Sequence, residues 1–75
     1  MELLQLRYFR ALAKEEHMSR TAEKLYISQP SLSLTIKKLE KELGVPLFDR
    51  TGRSIRLNAY GRLFLRHVEE AFSAL

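Results

Sequence analysis

Ser28 to Gly44 reads SQPSLSLTIKKLEKELG, and the reading of this stretch decides the fold. Leu32, Ile36, Leu39 and Leu43 recur at spacings of four, three and four. On a helix of about 3.6 residues per turn all four share one stripe, which must be buried. Pro30, Ser33, Leu34, Lys37 and Lys41 fall on the other side, with no acidic residue among them to offset the lysines. Ser28 is a good N-cap, and Pro30 sits in the first turn, where a missing N–H costs nothing. Gly44 closes the other end. A helix with a fixed start, small polar side chains in its first turn and a basic outer face is suited to the major groove of DNA.

The chain has 75 residues, enough for one domain and near the lower size at which an apolar core holds a fold without staples. It has no cysteine, which excludes a disulfide framework and any cysteine-based metal site. Two separate histidines add nothing to a metal case, and neither a metal nor a cofactor is expected. Thirteen Lys and Arg against nine Asp and Glu leave a net charge of +4, suited to an anionic partner. Glu2, Gln5, Arg7 and Arg10 interrupt the apolar residues of the N-terminus, so that stretch is neither a signal peptide nor a membrane span. Enzymatic readings fail by inventory: there is no cysteine nucleophile, no Gly-rich phosphate loop, and no Ser, His and acid grouping at a workable spacing.

Leu6, Phe9, Leu12 and Ala13 trace one face of a first helix from Leu3 to about Glu16. His17 and Met18 form a join, and Ser19 is expected to cap a brief second helix, Arg20 to Tyr26, with Ala22 and Leu25 inward. Only Ile27 and Ser28 then separate it from the next helix, which is the tight join of a helix-turn-helix. After Gly44 the period changes. Val45 to Phe48, the run DRTGRS and the alternation Ile55, Arg56, Leu57 predict a small hairpin, anchored by Leu47 or Phe48 and carrying Arg50 and Arg53 at its tip. An isolated hairpin is marginal in water, so it must lean on the helices as a wing.

Asn58 is expected to cap a last helix from Ala59 onward, whose apolar residues cover about half its circumference. The excess from Leu65, Val68, Phe72 and Leu75 exceeds what one docked face requires and points to a second copy of the chain. The periodicity runs to Leu75 without a stop signal, which suggests a fragment of a longer protein.

The stretches LRYF at Leu6 to Phe9, AEKL at Ala22 to Leu25, SQPSLS at Ser28 to Ser33 and LGVPLFDR at Leu43 to Arg50, with Asn58 and Gly61, carry a resemblance covering essentially the whole chain. In these stretches the sequence closely resembles the N-terminal domain of LysR-type transcriptional regulators. The resemblance implies a mainly α, winged helix-turn-helix fold: a three-helix core, a small two-stranded β wing and a long C-terminal helix. Residues 1–58 would form the DNA-binding domain, with the helix-turn-helix at about 19–43 and the wing at about 45–57; residues 59–75 would be a truncated linker and dimerisation helix. It further implies a homodimer on an interrupted inverted repeat of double-stranded DNA. A separate C-terminal domain would answer to a small-molecule inducer, in a bacterial, cytoplasmic and nucleoid-associated regulator.

Three residues depart from the family pattern. Thr21 replaces a frequent Ala, Asn58 replaces a usual Thr, and Leu34 stands where the family carries Arg or a polar residue. An Arg there would seek guanine O6 and N7, whereas Leu offers apolar contact, as with a thymine methyl. Base reading is assigned to Gln29, Pro30, Ser33, Leu34 and Lys37. Ser19, Arg20, Ser31, Arg50 and Arg53 are assigned to the DNA backbone, with Arg50 also able to pair with a nearby carboxylate. Lys38, Lys41, Glu40 and Glu42 read as a solvated face of intrahelical pairs, from which Lys38 alone joins the backbone set. His17 and His67 read as surface residues. The rival reading is a winged helix that contacts an acidic protein partner instead of DNA.

Overall fold

The computed structural model describes residues 1–52 and 54–75. Its elements run α1 (Leu3–Glu15), α2 (Met18–Leu25), α3 (Gln29–Leu43), β1 (Phe48–Thr51), β2 (Ser54–Leu57) and α4 (Ala59–Ser73). The first three helices pack pairwise, and α4 lies on α1 and against β2. The expected winged helix-turn-helix is the fold that forms.

The stripe on α3 goes inside as its spacing requires: Leu32, Ile36 and Leu39 are fully buried, and Leu43 is half-buried at the rim. Phe9 on α1 ties the layers together. Its ring lies 5.7 Å from Phe48 on the wing and meets Phe64 of α4 edge-on at 5.0 Å. Both ends of α3 follow the sequence. Ser28 Oγ accepts from the Ser31 N–H at 3.1 Å, and Gly44 takes φ +78°, its N–H donating to the Glu40 carbonyl.

Helix α2 starts earlier than the sequence suggests. Its N-cap is His17, whose ring accepts from the Arg20 N–H, so Ser19 lies within the first turn and is not the cap. The register follows from packing: Met18 at the first helical position turns onto the core, and Glu16 ends α1 in the left-handed region at φ 50°. Thr21 is fully buried, and its hydroxyl donates to the His17 carbonyl at 2.7 Å, so a hydroxyl in place of the frequent Ala is satisfied.

The wing is a two-stranded antiparallel sheet pairing Phe48 with Leu57 and Arg50 with Ile55. It is stitched to the helices at its base. The Leu47 N–H donates to Glu40 Oε2 at 2.7 Å, the Leu57 N–H to Glu16 Oε2 at 2.9 Å, and the Asn58 side-chain amide to the Pro46 carbonyl at 2.9 Å. Glu40, expected on a solvated face, is therefore a bracket between α3 and the wing.

Asn58 caps α4 as expected, accepting from the Gly61 N–H at 2.8 Å. Gly61 is buried where a Cβ would overlap the Leu47 carbonyl oxygen and lie 2.5 Å from Leu57 Cδ1. Only glycine lets α4 approach the wing this closely. The consequence corrects the interface reading. Val68, expected at a dimer interface, is only 2% exposed and belongs to the protomer's own core, with Leu65 and Phe72 packed partly against it. Of the four residues expected at the interface, Leu75 alone is fully on the surface.

Candidate nucleic-acid interface

The N-terminus of α2, the first two turns of α3 and the wing enclose an open groove of about 490 Å³. Ser19, Gln29, Ser33 and Arg50, all singled out in the sequence, line it together with His17 and Ile55. Gln29 and Ser33 face the same groove because they are four residues apart on α3, one turn along. Each helix is aimed by its cap, and the wing by the Glu40 and Glu16 carboxylates at its base.

Along the rest of the outer face of α3, Pro30, Ser31, Lys37 and Lys38 are exposed, and Leu34 keeps 57% of its surface in water. The first turn is ordered by hydroxyls. Ser28 Oγ donates to Ser31 Oγ at 2.8 Å, and Thr35 Oγ1 donates back to the Ser31 carbonyl at 2.9 Å. Arg20 is exposed on the first turn of α2, and no acidic residue lies in the first turn of either helix. Both N-termini thus present positive dipole ends on the side that carries the groove.

The charges around this surface divide into engaged and open ones. Arg50 lies within the strand, before the tip, and its guanidinium is 4.0 Å from Glu40, the pairing its sequence context allowed. Lys24 is paired with Glu15, which holds the Glu15 carboxyl below the usual carboxylate range. Arg53, expected at the wing tip, lies outside the described residues. Sequence reasoning missed His17. It lies in the groove, but histidine is not among the usual capping residues, so nothing in the local pattern marked it.

Residues 3–62 match the family described as bacterial regulatory helix-turn-helix protein, lysR family. The chain belongs to the lysR family. It is 56% identical over 69 residues to the HTH-type transcriptional regulator YybE of Bacillus subtilis, covering 92% of this chain and 24% of that protein. The regulator IlvR of Caulobacter vibrioides is 51% identical over 75 residues, covering 100% and 25%. This LysR-type chain therefore spans about a quarter of the length of the curated relatives it matches.

Among solved structures, the CbnR DNA-binding domain in complex with DNA matches at a TM-score of 0.92 and 38% identity, covering 99% of this chain and 85% of that one. The BenM DNA-binding domain with catB site 1 DNA matches at 0.92 and 39%, covering 99% and 80%. The family and its solved relatives make this chain a LysR-type DNA-binding domain and favour DNA over an acidic protein partner. Among the described residues no helix is long and apolar enough to cross a membrane.

Proposed function

We propose that this LysR-type domain reads an inverted repeat in double-stranded DNA as a dimer, with α3 in the major groove and the wing beside it on the backbone. One observation carries the reading: a single groove gathers Ser19 from α2, Gln29 and Ser33 from α3, and Arg50 from the wing. Gln29, Pro30, Ser33, Leu34 and Lys37 read base edges. Leu34 contributes only apolar contact, so its position favours a thymine methyl over guanine. Ser19, Arg20, Ser31 and Lys38 fix the register through phosphates. Arg50 contributes from the strand while held by Glu40, and Arg53 follows the tip glycine in the sequence as a further cation. Residues 1–58 form the reading body, and residues 59–75 the linker that pairs two copies.

Burial of Val68 moves the pairing surface around α4. At roughly 100° per residue, Tyr60, Leu63, Ala71 and Ala74 fall within one arc that also holds His67, turned away from the inner row Gly61, Leu65, Val68 and Phe72. Tyr60 and Leu63 are more than half exposed. A second copy covers that arc. A small-molecule inducer belongs to the remainder of a full-length regulator, and a DNA partner sets the working place in a bacterial cytoplasm at the nucleoid.

Selection of bound duplexes from a random pool tests the reading. Two-fold pairing predicts enrichment of an inverted repeat whose half-sites lie one helical turn apart or a multiple of it. A pool that emerges without any enriched sequence contradicts base reading by α3.

A further inference from the structure

We infer that His17 is a DNA-backbone ligand, donating from Nε2–H to a phosphate oxygen; the inference rests on the DNA-binding reading above. A backbone N–H can only donate, and the Arg20 N–H lies 3.1 Å from His17 Nδ1, so Nδ1 is the acceptor. Ser19 Oγ stands 3.3 Å from the same nitrogen and can add a second donor to it. A neutral imidazole carries one proton, so capping forces that proton onto Nε2. The cap therefore sets the tautomer, and every hydrogen bond of the ring among the described residues is made at Nδ1.

The Nε2–H lies on the side of the ring turned away from α2. The exposed ring lines the groove that holds Gln29, Ser33 and Arg50, and a smaller concavity toward Arg56. The donor thus stands at the mouth of the same surface, fixed in direction by its own capping bond. In a helix-turn-helix the helix before the reader crosses the sugar-phosphate backbone, so an anion is what this donor meets. The dipole of α2 adds to the attraction. The carboxylate beside it, Glu16, is turned to the Leu57 N–H and does not occupy Nε2.

Two substitutions separate the cap from the contact. His17→Ser keeps an oxygen that accepts from the Arg20 N–H, and its own O–H, on a side chain about 2 Å shorter than the imidazole, stops short of where Nε2–H stood; His17→Ala loses both functions. Each is measured for binding to a labelled random-sequence duplex a few helical turns long, and for thermal unfolding. The expected result is a loss of about tenfold in affinity for both variants, as for a hydrogen bond to a charged group, with a lowered melting temperature for His17→Ala alone. A backbone contact also leaves the ratio of selected to random duplex affinity unchanged in His17→Ser. His17→Ser binding as tightly as the parent overturns the inference, as does a loss confined to the selected duplex. If the parent chain ignores duplex even in dilute buffer, the DNA-binding reading itself fails, a result distinct from either of these.

Discussion

Helices α3 and α4 are both fifteen residues long and both amphipathic, yet their second faces differ in chemistry. The inner row of α3 is sealed inside the domain up to Leu43 at the rim, and its outer face is polar and cationic apart from Leu34. The inner row of α4 is sealed only at Gly61 and Val68, and its outer arc keeps Tyr60 and Leu63 in water. A cationic outer face suits a polyanion; an apolar one suits another protein surface. The contrast supports the proposed partners, DNA for α3 and a second copy for α4.

The largest test of that contrast is Ile36→Ala. It empties space between three helices, so a loss of about 2–5 kcal/mol in denaturant unfolding is expected. A change below that range would mean the inner face of α3 is not the centre of the core. Next is Gly61→Ala, where the added methyl overlaps the base of the wing and overpacking costs about 1–3 kcal/mol. Unfolding unchanged by that methyl would place α4 farther from the wing than described. Leu63→Glu sharpens the comparison from the other side. Stability of the protomer should move by only about 0.5 kcal/mol, as for an exposed position, while sedimentation shows dimers giving way to monomers. Persistent dimers would remove Leu63 from the pairing surface.

Acid provides the smallest effect. Glu15 is held below the usual carboxylate range by its hydrogen bond to Lys24, and Glu42 by hydrogen bonds from the N-terminal ammonium and Gln5. Such contributions are present above the unfolded carboxylate pKa and fade as pH falls through the lowered folded value. The N-terminal ammonium is raised by its hydrogen bond to Glu42, so its contribution is present below its unfolded pKa and fades as pH rises through the raised value. Both ion pairs lie at the surface in contact with water, so melting temperature should drift gently at both ends of the pH range. A sharp acid transition traced to Glu15 or Glu42 would contradict this.

What the sequence disclosed follows from how local the determining forces are. Helix α3 was legible at both ends and on both faces, because Ser28, Gly44 and the leucine spacing each act within a turn or two. The start of α2 was not, since Glu16 ends α1 without the usual glycine and His17 caps without being a usual cap. Glu40 was misplaced because its partner, the Leu47 N–H, is created by the chain's return in the wing. On α4, half the circumference is apolar, and periodicity alone could not say which half turns in. Gly61 carried that information, because the row it heads, Leu65, Val68 and Phe72, is the one whose missing Cβ permits close approach. In the groove, Gln29 and Ser33 were legible from α3 alone; bringing Ser19 and Arg50 to them required the tertiary fold.

The central claim is that the outer face of α3 meets DNA, and mapping backbone amide shifts by NMR as duplex is added tests it most directly. The account predicts that the shifting amides cluster on the first turns of α2 and α3 and along the wing, with α1 undisturbed. Shifts concentrated on α1 and the exposed arc of α4, with Gln29 to Lys37 unmoved, would contradict it.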